Sequence, residues 1–180
     1  MTTSGPRWLT ADEQCTWRNA FAAWQWLFAA VDGQLQRDSG MPLAYYEILV
    51  QLSEVPDRAL RMTQLAEASS SSKSRVSHAV ARLEERGWVR RMDCPTDRRG
   101  QIAQLTEDGF AALSAAAPGH VEQVRRVLFD ALSAEQLRQL AGIDAAILAA
   151  AASSAAAGDG CPEAGDSCPA AEEEQAQAAH

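Results

Sequence analysis

The side chains best suited to chemistry crowd into residues 69–99, "SSSSKSRVSHAVARLEERGWVRRMDCPTDRR". Residues 69–100 hold eight basic and four acidic side chains, while the rest of the chain holds eight basic and twenty acidic ones. The whole carries a formal charge of −8. A local positive face in an acidic chain is the electrostatic footprint of a polyanionic partner. Charge alone is equally compatible with a solvated helix face. The placement of the residues has to decide between the two.

Val76, Val80 and Leu83 step by four and three, which predicts one buried side of a helix running from Ser72 towards Gly87. Lys73, Ser74, Ser77 and His78 then point the other way, with Arg75 and Arg82 at the edges. Small hydroxyls at 72, 74 and 77 permit close approach to a duplex. Together with the N-terminal amides and the positive end of the helix dipole they suit phosphate. Lys73 or Arg75 reaches guanine edges from such a position, and His78 can touch a base. In the loop "DCPTDRRG", Asp97 stands two residues from Arg99, so its carboxylate can hold that guanidinium in one pose for a narrow minor groove. Arg98 is expected to meet phosphate.

The elements that position these groups follow from caps and periodicity. Thr10 and Glu13 predict the start of a long helix that stops before "DSGMP". On it, Trp17, Phe21, Trp24, Phe28, Val31 and Leu35 form a heptad-type stripe that needs a partner helix, and Trp26 lies off the stripe. Pro42 opens a second helix over about 43–53. "ALRM" reads as extended, and Thr63 is expected to cap a short helix ended by the serine tract. After Gly87 the period turns from helical to alternating, so "WVRRM" and "QIAQLT" read as two strands. Thr106 begins another helix, expected to reach about Ala131 with Phe110, Ala117, Val121, Val124 and Leu128 as its apolar stripe. Pro118 is expected to kink or split it. Ser133 and Gln136 form a capping box for a last helix lined by Leu137, Leu140, Ile143 and Ile147. The fold class is mainly α with a small β-hairpin wing (α+β): a winged helix-turn-helix flanked by N- and C-terminal helices.

The segments "MTQLAEA", "SKSRVSHAVARLEERGWVRR", "CPTDRRGQIAQLTEDG" and "LSAEQLRQL" resemble the MarR family of winged helix-turn-helix transcriptional regulators. The resemblance spans about residues 10–150. It implies a homodimer on a two-fold double-stranded DNA site, most simply a repressor. Release would come from a small phenolic or anionic effector in a cleft between the dimerisation helices and the winged module. On that pattern residues 1–9 are an arm, 10–40 a dimerisation helix, 41–106 the DNA-binding region and 107–152 the C-terminal dimerisation helices. Residues 153–180, acidic and without large apolar groups, read as a disordered tail. The dimer interface would draw on Trp17, Phe21, Val121, Val124, Leu128, Leu137, Leu140 and Ile147. Two departures stand out: Ser70 and Ser71 occupy a region where family members usually carry a large apolar residue, and Pro118 lies inside a long helix.

Trp17, Arg18, Trp24, Tyr45, Tyr46 and Trp88 are candidate walls of an effector cleft, with core packing as their plainer role. Cys15 opens an alternative, an oxidant-sensing regulator, although its acidic neighbours raise a thiol pKa. Cys94 is expected to be exposed in the wing, with a structural part to play. A further alternative is a winged helix that docks proteins and never touches DNA. The histidines at 78, 120 and 180 are isolated, and no phosphate loop, nucleophile elbow or metal-ligand spacing is present. An enzyme, a metal site and a cofactor are therefore not expected. The N-terminus has no secretory pattern and no apolar run would span a membrane, so a cytoplasmic location is expected.

Overall fold

A computed structural model describes residues 5–69, 71–94 and 97–156, with backbone alone at 97–99 and 155–156. The described chain orders as α1 (Ala11–Ser39), α2 (Leu43–Ser53), β1 (Ala59–Arg61), α3 (Met62–Ala68), α4 (Lys73–Glu85), β2 (Val89–Cys94), β3 (Asp97–Leu105), α5 (Glu107–Val124) and α6 (Ala134–Ala156). It divides into two units, Met1–Gln139 and Leu140–His180. The first holds the winged module and its core. The described part of the second is the C-terminal portion of α6, where Ile143, Ile147 and Leu148 are exposed.

The start of α1 is the expected capping box: Glu13 N–H donates to Thr10 Oγ1 at 3.3 Å, and Thr10 N–H donates to Glu13 Oε2 at 2.8 Å. Its apolar stripe divides in two. Val31 and Leu35 are buried in the core, whereas every residue from 11 to 23 is exposed. Asp32 takes over the capping that Pro42 cannot perform, since its Oδ1 accepts from Leu43 N–H at 2.8 Å and so fixes α2 on α1.

The core draws on α1 to α5 and the sheet. Leu35, Met41, Leu49, Leu52, Leu65, Val76, Val80, Leu83 and Val89 are its largest fully buried members. The sheet has three strands in the order β1-β3-β2, all antiparallel. The wing is thus more than the two-stranded hairpin read from the sequence. "ALR" is extended as expected, and Leu60 pairs with Ala103.

Three further expectations change. Arg61, not Thr63, precedes α3, and Gln64 Oε1 accepts from Arg61 N–H at 3.1 Å. Pro118 does not split α5, which is continuous over Glu107–Val124. Pro118 has no amide to offer the Ser114 carbonyl, and both residues are exposed, where water is at hand. The irregularity comes later, as a π-type turn at Arg125–Phe129. Lastly α6 continues to Ala156, four residues past the expected start of the tail, and residues 157–180 lie outside those described.

The inward side of α5 is Gly109, Leu113, Ala116 and Gln123, not the side marked by Phe110 and Val121. The cause is a close backbone approach. Thr106 N–H donates to the Trp88 carbonyl at 3.0 Å, its hydroxyl donates to the Gly87 carbonyl at 2.7 Å, and its Oγ1 accepts from Gly109 N–H at 3.0 Å. Gly87 supplies the left-handed turn (φ 73°) that brings the chain out of α4 into this contact. With the backbones this near, only small residues fit inward at the start of α5. Phe110 turns outward, where the Arg58 guanidinium lies 3.9 Å from its ring centre.

Candidate nucleic-acid interface

Helix α4 buries Val76, Val80 and Leu83 and exposes Lys73, Ser74, Arg75, His78 and Arg82. Ser72 is its N-cap, exposed, with Oγ accepting from Arg75 N–H at 3.3 Å. Ser77 is half-buried on the flank. The outward face expected from the spacing is therefore present, with Ser77 at its margin. Its cations are not equivalent. Arg82 is paired with Glu85 at 2.8 Å, whereas Lys73 and Arg75 have no ion pair with a described residue. The first turn thus combines amides, hydroxyls and two unpaired cations, a set suited to phosphate and base edges.

The serine tract before α4 does not leave the turn unpinned. Ser69 Oγ donates to the Leu65 carbonyl at 2.6 Å and lies 3.0 Å from Gln51 Oε1, and Ser71 N–H donates to the Ala66 carbonyl at 3.1 Å. Hydroxyl bonds there stand in for apolar packing; Ser70 lies outside the described residues.

Of three arginines that sequence reasoning left aside, two hold α4 against its neighbours and the third, Arg90, joins β2 to β3. Arg91 reaches from β2 to the Ser77 carbonyl (2.7 Å), its own N–H donates to Glu84 Oε1 (3.0 Å), and its Nε lies 3.4 Å from Glu84 Oε2. Arg86 donates to the Gly40 carbonyl at 3.0 Å and stands over the rings of Trp88 (5.0 Å) and Tyr45 (5.9 Å). Arg90 Nε donates to Gln104 Oε1 at 2.7 Å. Strand alternation could have found Arg91, because it shares the inward phase of buried Val89. Arg91→Ala leaves the Ser77 carbonyl and Glu84 without that partner. It is expected to cost about 1–3 kcal/mol, read as a lower urea midpoint.

In the wing, β2 and β3 pair from Val89↔Leu105 to Cys94↔Asp97, with a register shift between Asp93 and Cys94. The side chains of Asp97, Arg98 and Arg99 lie outside those described, so the wing-arginine reading rests on sequence. Cys94 is buried, at 5% exposure, rather than exposed at the tip, and it pairs with Asp97 at the end of the sheet. Cys15 is exposed in the first half of α1, with Asn19 Nδ2 3.6 Å from its sulfur.

A cavity of about 450 Å³ opens between α1, α2, the end of α3 and α5. Of the six residues proposed as an effector wall, only Tyr46 lines it. Trp17 and Arg18 lie on the exposed half of α1, Trp24 stacks on Phe28 (6.0 Å), and Tyr45 and Trp88 flank Arg86. Aromatic type marked apolar surface but not where it gathers. The residues missed are aliphatic ones such as Leu27 and Val50, with Glu47 and His120.

The MarR family model matches residues 39–100, from the end of α1 into the wing. The structure of Sco3205, a MarR family transcriptional regulator from Streptomyces coelicolor in complex with DNA, superposes with a TM-score of 0.78 at 51% identity, covering 83% of this chain and 93% of that one. This chain belongs to the MarR family. Membership makes it a transcriptional regulator rather than an enzyme. Among curated MarR-type relatives, the regulator PecS of Dickeya dadantii is 36% identical over 47% of this chain and 52% of its own length. The transcriptional repressor MprA of Escherichia coli is 27% identical over 64% of this chain and 65% of its own length. The chain thus spans between half and two thirds of these curated relatives. In this MarR family member, α3 and α4 are the helix-turn-helix and β2-β3 the wing.

Proposed function

We propose that the chain is a cytoplasmic, homodimeric, DNA-binding transcriptional repressor that holds a two-fold duplex site and releases it when a small molecule occupies the cavity beside α2. The observation that carries this is the outward face of α4. Ser74, Arg75 and His78 are exposed across the helix from packed Val76 and Val80, and Lys73 is exposed at its first position, in a chain half identical to a regulator whose structure contains DNA. The name of MprA supports repression. Exposed Trp17, Phe21 and Val121 in the first unit, and Ile147 in the second, are apolar surface of the kind a second copy would cover. Val124, Leu128, Leu137 and Leu140 are half-buried and supply less of it. Among the described residues no helix is long and apolar enough to cross a membrane.

The test is fluorescence anisotropy on duplexes selected from a random library. Affinity should fall steeply between about 50 and 200 mM salt, with a slope set by the number of phosphates neutralised. Absence of duplex binding at the lowest salt would leave the protein-docking winged helix as the better reading.

A further inference from the structure

The cavity beside α2 has an unusual charge balance for a site expected to take anions. Its wall is mainly apolar, formed by Leu27, Phe28, Val31, Leu43, Val50 and Val124. Neither lysine nor arginine is among its lining residues. The polar pair Gln51 and Ser69 is engaged internally at 3.0 Å. Three polar residues remain, Tyr46, Glu47 and His120. Glu47 is exposed at the rim of the cavity, and its carboxylate has no hydrogen bond or ion pair with a described residue. Nδ1 of His120 is buried without a partner, its ring 4.3 Å from that of Tyr46. Burial pushes the His120 pKa down and that of Glu47 up. Burial thus disfavours the imidazolium, and no cation among the cavity's lining residues faces the carboxylate.

We propose that this cavity binds an organic cation, a protonated amine on an aromatic or aliphatic body, with the ammonium at Glu47 and the body against the apolar wall. The proposal rests on the effector reading above and specifies the class of effector. An anionic ligand would meet one carboxylate and no cation, in a site that resists protonating its histidine. An ammonium would give Glu47 the charge-assisted partner that it lacks. Glu47 also borders the cleft between α2 and α4 where Arg75, His78 and Arg82 stand.

The experiment uses three probes that share one ring system: 2-naphthylmethylamine, 2-naphthylmethanol and 2-naphthoate. Each is titrated by calorimetry at neutral pH into the full chain and into Glu47→Gln, with duplex binding of both proteins measured alongside. The amine should bind at least about tenfold tighter than the naphthoate, and Glu47→Gln should remove about tenfold of amine affinity. The alcohol should be unaffected by the substitution. The variant's duplex binding without ligand should not weaken, since Glu47 makes no hydrogen bond or ion pair with a described residue of α4. A preference for naphthoate, equal amine binding by both proteins, or no binding of any probe overturns the proposal. A chain that binds duplex but none of the probes loses this inference and keeps the DNA reading. One that prefers the amine through Glu47 yet binds no duplex keeps the inference and loses the regulator mechanism.

Discussion

Gly109→Ala is expected to destabilise the protein by about 3 kcal/mol or more, although alanine favours a helix over glycine by about 1 kcal/mol. A Cβ at this position would lie 2.1 Å from the Trp88 carbonyl oxygen and 2.8 Å from Leu105 Cδ1. The first obstacle is backbone and cannot rotate away. To admit the methyl group α5 must lift from the turn between α4 and β2, breaking the bonds of Thr106 to Gly87 and Trp88. Urea denaturation followed by circular dichroism measures the loss. A midpoint equal to that of the wild type would mean that the start of α5 is not seated on Trp88. Because α4 and β2 leave from the same turn, duplex affinity should fall along with stability.

Arg75→Ala is expected to weaken duplex binding by about 1–3 kcal/mol with little change in melting temperature. Arg82→Ala should cost less than about 1 kcal/mol, although both residues are exposed cations on the same helix. The difference lies in their partners. Arg82 is already bound to Glu85 at 2.8 Å and must leave it to meet a phosphate, whereas Arg75 stands in the first turn with no ion pair to a described residue. Anisotropy on one duplex at one salt concentration compares them. A larger loss for Arg82 than for Arg75 would mean that the duplex approaches the C-terminal half of α4.

Local signals in the sequence were read well because local chemistry fixes them. The caps at Thr10, Ser72, Thr106 and Ser133 all form, since a hydroxyl and an amide three residues apart need no distant partner. The outward face of α4 followed from three apolar positions for the same reason. Pairings across long separations were not legible. β1 is three residues long and meets β3 more than forty positions away, so its strand character was visible and its neighbour was not. The stripe on α1 recorded which side is apolar, and said nothing of where along the helix the chain's own core ends. The inward side of α5 was set by a backbone contact at Gly109 rather than by its large side chains. The cavity was missed because its wall mixes aliphatic residues that individually look like ordinary core with one histidine and one glutamate from separate helices.

The first three turns of α1, all exposed, have a consequence for how the chain responds to dilution. Thirteen consecutive residues there rest on their own ladder of amide bonds and on the Thr10–Glu13 box. A stretch of that length is only marginally helical in water by itself. Its order therefore tracks whatever shields Trp17 and Phe21. Ellipticity at micromolar and nanomolar protein should differ by the fraying of those turns, so secondary structure and mass action are tied together in this molecule.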